Sequence, residues 1–476
     1  MDTYEKIITH KGYSIRKSSL KEKDVEFIIK HCSVEPKVDE RYKTKEDVKF
    51  TIYKESPARY YLPREWAIQK FGETVDILSE GEDLTDEAAK FVGSPYDYQK
   101  DIISTYLQSK RNGLICVPCG KGKTFMALNI ASQIKKRFLI IVDKEFLMNQ
   151  WKNEMKSVLP NLRVGILQAE KRQVEKDTYD CTICMIQTLC SQTFPDNFFV
   201  DYGLTIFDEC HHLGAQHFCK SLFKVQTKKL LGLSATPTRV DGLTKVFEMF
   251  LGKPLYWEKT REPDPGVLVK GVKITCQDPD YLKVPYDYKR NVIIARLVSY
   301  ILECKERNTE IVRWIEQLAA DPDRKILVLS ARIAHLEMLD SMLHIDISRS
   351  YYIGGMKEEV REKGALEAKV LLASYSMASE AMNIKSLNTV ILSSPKTSIE
   401  QSTGRILRTR ISDRIIQPLI IDIIDPHDTT MSQYRKRKAY YVKCAYNIEE
   451  LNQGENEGKK IIEVVPDENG CLFGED

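Results

Sequence analysis

The sequence has no long apolar run and almost no net charge. Its 476 residues contain no stretch of about 18 consecutive apolar residues, the length that a membrane-spanning helix needs. We therefore expect no transmembrane helix and no membrane partner. The formal net charge is only +3, because 71 basic side chains are set against 68 acidic ones. This balance excludes a strong global field for polyanions, so any nucleic acid must bind at local patches.

A secretory signal is also absent from the sequence. The first residues, Met1-Asp-Thr-Tyr-Glu-Lys6, do not have the pattern of a signal peptide, so we expect a cytoplasmic protein with reduced thiols. No short-period repeat or low-complexity segment stands out. The length predicts about three domains, and the hydrophobic content of 42% is ordinary for a globular protein.

The most informative motif in the sequence is Val117-Pro-Cys-Gly-Lys-Gly-Lys-Thr124. It follows an apolar run, Leu114–Val117, and precedes a helical run, Phe125–Ile134. Strand, glycine-rich turn and helix in this order are typical of a phosphate-binding loop. Gly120 and Gly122 allow backbone N–H groups to approach a triphosphate, and the helix directs its positive end toward the phosphates.

Five residues of this loop are predicted to bind ATP. Lys123 can reach the β- and γ-phosphates, and the Thr124 hydroxyl can ligate Mg²⁺. The full pattern begins with glycine where this chain has Val117, but the Gly-x-Gly-Lys-Thr core is kept. The alternative is a glycine turn with two exposed lysines. The predicted nucleotide ligands are Gly120, Lys121, Gly122, Lys123 and Thr124.

Two adjacent carboxylates follow another predicted strand, Leu204–Phe207. Ligands of open α/β sheets bind at the carboxyl ends of strands, where Asp208 and Glu209 lie. We predict that Asp208 holds Mg²⁺ and that Glu209 orients or deprotonates the attacking water. The adjacent histidines His211 and His212 could also bind a metal ion, but the phosphate loop favours a nucleotide site instead. A solvated acidic loop is the alternative.

Cysteine spacing raises the question of a zinc site. Among the twelve cysteines, Cys116 with Cys119 and Cys181 with Cys184 have zinc-ligand spacing. The first pair belongs to the phosphate loop and the strand before it. The second pair lies in an apolar strand whose alternation points the two side chains differently. We therefore do not predict zinc.

Weaker motifs accompany the phosphate loop and the carboxylate pair Asp208 and Glu209. Ser234 and Thr236 carry hydroxyls that could link the carboxylate loop to a second domain. Arg405 and Arg408 share a face if helical and could stabilise charge on the γ-phosphoryl group, although an exposed basic helix is the alternative. The amide of Gln99, about 20 residues before the phosphate loop, could pair with the adenine edge.

The pattern of apolar runs divides the chain into five segments. Residues 1–92 are predicted to be an accessory domain that could bind nucleic acid. Residues 93–257 and 286–455 alternate apolar strands with helical stretches, which is typical of doubly wound parallel sheets. Residues 258–285 are predicted to be a linker, and residues 456–476 a tail. The predicted strands are 114–117, 138–142, 181–186, 204–207, 230–233, 325–330, 369–374, 389–393 and 419–424.

In their combined order, these motifs resemble the fingerprint of the superfamily 2 helicases between residues 93 and about 430. The resemblance implies an α/β fold with two tandem RecA-like parallel-sheet domains and an additional N-terminal α+β domain. It also implies ATP and Mg²⁺ as cofactors. Asn383 stands where the family usually has Asp. The implied roles are catalysis by Lys123, Asp208, Glu209, Gln401, Arg405 and Arg408, coupling by Ser234, Thr236, Glu380 and Asn383, and nucleic-acid contacts by Lys144, Thr188, Arg239, Arg332 and Ser374.

The segment Tyr60–Gly72 and the run Leu233–Gly242 narrow the resemblance. They look like the branch that contains XPB-type DNA translocases, phage UvsW-type helicases and the poxvirus transcript-release helicase, whose relatives occur in large cytoplasmic DNA viruses. This resemblance implies a monomeric DNA helicase or translocase, acting on single-stranded or forked DNA with the transcription machinery or in repair. An RNA helicase is the alternative, and a nucleotide switch without motor activity is a third.

Overall fold

The computed structural model describes residues 4–37, 49–118, 120–214, 216–239, 241–258, 263–380, 382, 384, 386–404 and 414–462. The chain forms two compact units, residues 1–259 and 260–476. Each unit contains an eight-stranded sheet. None of the helices in these described ranges has the length and apolar character of a membrane span.

The first unit begins with a small α+β region. Its four-stranded antiparallel sheet has the order β1-β2-β6-β5, and β3 pairs with β4. The elements are β1 (Lys6–Thr9), β2 (Gly12–Arg16), α1 (Glu22–His31), β3 (Ser33–Val34), β4 (Phe50–Thr51), β5 (Lys54–Glu55), β6 (Arg59–Leu62) and α2 (Arg64–Phe71).

The large sheet of the first unit has the strand order β10-β9-β11-β8-β12-β13-β7-β14. All neighbours are parallel except β10 and β9. The elements are α3 (Asp97–Gln108), β7 (Gly113–Cys116), α4 (Lys123–Ile134), β8 (Phe138–Val142), α5 (Glu145–Val158), β9 (Val164–Gln168), β10 (Lys171–Arg172), β11 (Cys181–Met185), α6 (Ile186–Ser191), β12 (Leu204–Phe207), α7 (Gln216–Cys219), β13 (Lys229–Ser234), α8 (Thr244–Leu251) and β14 (Pro254–Trp257).

The sheet of the second unit has the order β17-β18-β16-β19-β20-β15-β21-β22 and is parallel except for β21 with β22. The elements are β15 (Leu268–Lys273), α9 (Pro279–Leu282), α10 (Ile294–Glu303), α11 (Lys305–Ala319), β16 (Ile326–Ser330), α12 (Ile333–Met342), β17 (Arg349–Tyr352), α13 (Glu358–Glu367), β18 (Val370–Ser374), α14 (Tyr375–Glu380), β19 (Thr389–Leu392), α15 (Glu400–Thr403), β20 (Leu419–Ile424), α16 (Asp428–Lys443), β21 (Asn447–Asn452) and β22 (Lys459–Ile462).

The central strands are buried on both faces, as expected for a parallel sheet covered by helices. In β7, Leu114 and Cys116 join the core on one face, whereas Ile115 joins the core on the other. The period of two places successive side chains on opposite faces. The core that contains Leu114 also includes Tyr13 and Leu62, so the α+β region covers this face of the large sheet.

The structure differs from the predicted segment boundaries in two places. Residues 268–273, inside the predicted linker 258–285, form β15 between β20 and β21. Residues 459–462, inside the predicted tail 456–476, form β22 at the sheet edge. Both strands carry lysines, so neither reads as an apolar strand in the sequence.

Candidate active site

The phosphate loop lies between β7 and α4, as the sequence predicts. Gly120 and Gly122 have φ angles of +90° and +79°, a region that favours glycine. A Cβ atom on Gly122 would lie 2.5 Å from Gln99 Nε2. Helix α4 begins at Lys123, so its first backbone N–H groups lack helical partners and can bind an anion.

Gln99 holds this loop in place. Its Nε2 donates to the Lys121 carbonyl at 3.1 Å, and its Oε1 accepts from Tyr96 N–H at 3.0 Å. The hydroxyl of Tyr98 donates to the same Lys121 carbonyl at 3.2 Å. Both ends of the Gln99 amide therefore bind the protein backbone in this structure. The contact of Gln99 with adenine remains a prediction, because an amide can make further hydrogen bonds.

The two carboxylates lie beside the phosphate loop. Lys123 Nζ donates to Glu209 Oε1 at 3.1 Å. The two oxygens of Asp208 accept from Glu209 N–H at 3.0 Å and from Trp151 Nε1 at 2.8 Å. Glu209 has a φ of +40°, which is unusual for a residue with a side chain. Strained backbone of this kind is enriched at functional sites.

The electrostatics of the site separate the roles of the carboxylates. Desolvation, reinforced by the Glu209 carboxylate, raises the pKa of Asp208 to about 6. Desolvation also acts to raise the pKa of Glu209, but the charge and hydrogen bond of Lys123 oppose it, and that pKa lies below its ordinary value. Glu209 is therefore ionised over a wider range of pH than Asp208, and a cation would stabilise the charge of Asp208.

Ser234 connects the carboxylate loop with the phosphate loop. Its Oγ lies 3.0 Å from His211 Nδ1 and accepts from Thr236 N–H at 3.1 Å, and its carbonyl accepts from Val117 N–H at 3.2 Å. Burial lowers the pKa of His211 to about 4, so this histidine is neutral at neutral pH. The serine hydroxyl can donate to a neutral imidazole nitrogen. The geometry thus fits the predicted coupling role of Ser234 and Thr236, which remains a prediction.

Two of the predicted nucleic-acid contacts already have hydrogen-bond partners within the protein. The Thr188 side chain is buried, and its hydroxyl accepts from Ala169 N–H at 2.9 Å. The Arg239 guanidinium donates to Asp241 Oδ1 at 2.9 Å and to the His211 carbonyl at 2.6 Å. Both side chains hold loops of the first unit, and their contacts with nucleic acid remain predictions.

The other predicted contacts have different surroundings. Lys144 is half-buried and immediately precedes α5. Arg332 is exposed at the start of α12, and Ser374 is half-buried at the end of β18 with its Oγ 3.2 Å from Ser376 Oγ. Their contacts with nucleic acid remain predictions. The side chains of Gln401 and Glu380, together with Asn383, Arg405 and Arg408, lie outside the described residues.

The donors at the phosphate loop suit Mg²⁺. Thr124 supplies a hydroxyl and Asp208 a carboxylate, both hard oxygen ligands. Mg²⁺ typically takes one or two protein carboxylates and completes its shell with water and substrate phosphates. In the part of the chain that the structure describes, no three His, Cys, Asp or Glu side chains form a metal group alone. One hydroxyl and one carboxylate fit this pattern of Mg²⁺ binding.

Trp151 is a site residue that reasoning from the sequence missed. Its indole N–H fixes Asp208 across 57 positions of the chain, and its ring is buried. The apolar residues of α5 predict a buried face but do not show which carboxylate the indole reaches. A long-range contact of this kind depends on the packing of α5 against the sheet.

The fold and site define a phosphate-loop α/β ATPase, and comparisons with known proteins refine this class. The family model described as the type III restriction enzyme res subunit matches residues 93–239. A protein of Acanthamoeba polyphaga mimivirus, named as an ATP-dependent RNA helicase, is 32% identical over 459 residues, covering 93% of this chain and 86% of the relative. The chain therefore belongs to the same family as this mimivirus protein. The family is part of the superfamily 2 helicases, which are ATP-dependent enzymes.

Two further viral relatives cover less of the chain. A protein of African swine fever virus, also named as an ATP-dependent RNA helicase, is 26% identical and covers 74% of this chain and 73% of its own length. A protein of Invertebrate iridescent virus 6 named as a helicase is 26% identical and covers 70% of this chain and 77% of its own length.

Solved structures also align with the chain. The crystal structure of T4 UvsW covers 91% of this chain and 97% of its own, with 18% identity and a TM-score of 0.35. The Pyrococcus furiosus Hef helicase domain covers 72% of this chain and 98% of its own, with 16% identity and a TM-score of 0.48.

Proposed function

We propose that this helicase is a nucleic-acid-dependent ATPase that moves along or unwinds DNA. The observation that carries the proposal is the ion pair between Lys123 and Glu209, beside a loop shaped for phosphate. Lys123 is the residue expected to contact the β- and γ-phosphates. A phosphate that attracts Lys123 frees Glu209 from its cationic partner, so Glu209 becomes a stronger base when the substrate is bound.

The remaining roles follow from the same site. Gly120, Lys121 and Gly122 present backbone N–H groups to the phosphates, and Thr124 and Asp208 hold Mg²⁺. The metal would neutralise phosphate charge when bound. Ser234 ties His211 and Val117 together, so movement of the phosphate loop is transmitted to the carboxylate loop.

DNA is our first candidate substrate. The likeness of Tyr60–Gly72 and Leu233–Gly242 to the DNA-translocase branch supports it. We place the activity in viral transcript release or repair, in the cytoplasm of an infected cell. RNA is the second candidate, because the mimivirus and African swine fever virus relatives are named as RNA helicases.

A substitution of Lys123 tests the ATPase proposal. Lys123→Ala should reduce nucleic-acid-stimulated hydrolysis by at least about a hundredfold, because removal of a preorganised charge at the transferring phosphate costs several kcal/mol. The matched control is Lys176→Ala, which removes an exposed lysine paired with Glu82. Equal turnover by the Lys123 variant and the control would reject the assignment.

The substrate is tested with the unmodified protein. ATP hydrolysis is measured with single-stranded, forked and duplex forms of DNA and RNA at matched salt, because phosphate contacts make affinity depend on salt. Stronger stimulation by DNA forms supports the first candidate, and stronger stimulation by RNA supports the second. ATP binding without stimulation by any strand would indicate a nucleotide switch.

A further inference from the structure

A short hairpin in the second unit exposes two tyrosines. Residues 285–293, which we call the tyrosine hairpin, lead from α9 to α10. Tyr286 is 58% exposed and Tyr288 is 90% exposed. Large aromatic side chains bury much apolar area when they find a partner, so such exposure on a defined turn indicates a contact surface.

Hydrogen bonds within the hairpin hold this shape. Asp287 N–H donates to the Asn291 carbonyl at 2.8 Å, and Ile293 N–H donates to the Pro285 carbonyl at 2.8 Å. Asp287 Oδ1 accepts from the N–H groups of Lys289 and Asn291, each at 2.8 Å. The tyrosines are therefore presented by an ordered turn, which lowers the entropic cost of binding.

The charge of this region favours an anionic partner. Between residues 283 and 296 the chain has four cationic side chains and one carboxylate, a local net charge of +3 that equals the net charge of the whole chain. The carboxylate, Asp287, already accepts hydrogen bonds from the turn itself. The cations are exposed and consist of Lys283, Lys289, Arg290 and Arg296.

Exposed aromatic rings among cations fit a single-stranded nucleic acid. Bases stack on aromatic rings in a sequence-tolerant way, and cations track the phosphates. Lys289 Nζ lies 5.5 Å from the centre of the Tyr288 ring, so both groups can contact one nucleotide. A protein partner could also bury the two tyrosine rings. The excess of positive charge favours a polyanion, because the one carboxylate, Asp287, already accepts hydrogen bonds from the turn.

We propose that the tyrosine hairpin is a single-strand contact in which Tyr288 stacks on a base and Lys289 and Arg290 bind the adjoining phosphates. The inference rests on the proposed function, since it assumes that the chain acts on nucleic acid. It adds a specific base-stacking residue outside the ATP-site motifs. It also predicts that the hairpin binds through stacking and charge together.

The test compares three variants of the full chain. Tyr288→Ala removes the stacking ring, Tyr288→Phe keeps it, and the double variant Lys289→Ala with Arg290→Ala removes the charges. Ile345→Ala is the matched control, because Ile345 is 80% exposed in the same unit and lies between His344 and Asp346 in the sequence. Binding of a labelled single strand is measured by anisotropy over a salt series, together with ATP hydrolysis with and without the strand.

We expect Tyr288→Ala to weaken strand binding at least about fivefold, while Tyr288→Phe and Ile345→Ala bind like the unmodified chain. The charge variant should flatten the dependence of affinity on salt, by about 0.7 in logarithmic slope for each lost phosphate contact. ATP hydrolysis without strand should be unchanged in all variants, since none of these residues belongs to the ATP site.

Two failures are distinguishable. If the unmodified chain binds the strand and Tyr288→Ala binds equally well at every salt concentration, the hairpin proposal is overturned, and a protein partner becomes the better explanation of the exposed rings. If the unmodified chain neither binds a strand nor responds to one in ATP hydrolysis, the proposed function fails first.

Discussion

His335 is a buried titratable side chain of the second unit. Its Nδ1 lies 3.0 Å from Ser330 Oγ and its Nε2 lies 3.0 Å from Asn308 Oδ1. Burial, with a smaller contribution from Arg307, lowers the pKa of His335 to about 3. The residue is therefore neutral in the folded chain and joins β16, α11 and α12 through uncharged hydrogen bonds.

The depressed pKa of His335 predicts a loss of stability in acid. The unfolded chain takes up the proton near pH 6.5, whereas the folded chain does not until about pH 3, so the free energy of unfolding falls as the pH decreases through this window. Between pH 7.5 and pH 5 the contribution of His335 to this loss is expected to be about 2 kcal/mol. Denaturant unfolding at both pH values measures it.

His335→Gln should shrink this difference between pH 7.5 and pH 5, whatever its effect on stability at neutral pH. His344→Gln is the matched control, because His344 is an exposed histidine of the same unit. If the two variants lose the same free energy over the interval as the unmodified chain, His335 is not the responsible group.

Single residues also show where sequence-based reasoning stops. The identities and neighbours of Lys123, Asp208 and Glu209 in the sequence predict that they share one site, because parallel strands place their carboxyl ends at one edge. Thr188 and Arg239 show the opposite case. Their partners, Ala169 and His211, are 19 and 28 positions away, and no local pattern reveals that their polar groups are already bonded.

The loop between β7 and α4 is the element that most depends on a particular residue type. At Gly122 the left-handed φ of +79° coincides with close contact to Gln99. Gly122→Ala combines backbone strain of about 1–2 kcal/mol with displacement of the Gln99 amide. We expect nucleotide affinity to fall by at least about tenfold, which corresponds to roughly 1.4 kcal/mol. Titration with a fluorescent ATP analogue measures the change.

Gly355→Ala separates strain from the contact with Gln99. Gly355 has a φ of +84° but nothing within 4 Å of the position where a Cβ would lie. This variant should bind nucleotide normally. An affinity of Gly122→Ala as high as that of Gly355→Ala would show that the glycine is not required for the shape of the phosphate loop.

Strands that consist mostly of apolar residues are predicted well from the sequence, and β15 shows why strands with charged residues are not. The segment Leu268–Lys273 contains two lysines and a glycine, yet it is an inner strand of the second sheet. Lys273 Nζ pairs with Glu450 Oε2 at 2.8 Å, and Lys270 lies near Glu449, both on β21. A strand whose charges are balanced by a neighbour about 180 residues away has no local signature.

The basic-aromatic run of α16 illustrates the same limit. The segment Tyr434–Lys443 is rich in basic and aromatic side chains, a composition that suits either a binding surface or the solvated face of a helix. Arg437 forms a bidentate pair with Asp422 at 2.9 Å for both contacts, and the Tyr441 hydroxyl donates to Asp422 at 2.8 Å. Arg437 and Tyr441 are therefore bound to β20, whereas the exposed residues of the run are Arg435, Lys436, Ala439, Val442 and Lys443.

At the scale of the whole molecule, the two sheets follow from the sequence, but the boundary at residue 92 does not describe the packing. The α+β region shares a core with one face of the first large sheet. Arg64 Nη1 donates to the Thr227 carbonyl at 2.8 Å, and Asn112 Nδ2 donates to Glu65 Oε1 at 2.8 Å. Asn112 Oδ1 in turn accepts from Leu230 N–H at 2.7 Å, which connects the region to β13.

This shared core predicts that residues 1–92 cannot be removed without damage. A chain of residues 93–476 exposes the apolar face around Leu114 and Phe207, so we expect it to aggregate, bind a hydrophobic dye and unfold at a lower temperature.

In the full chain, Leu62→Ala should destabilise the first unit by about 2–5 kcal/mol because it leaves a cavity in this core. Leu366→Ala, at a residue that is 76% exposed, is the control. Size-exclusion chromatography and thermal unfolding distinguish the outcomes: a monomeric shortened chain with an unchanged melting temperature would mean that the α+β region is an independent domain, as its separate sequence pattern predicts.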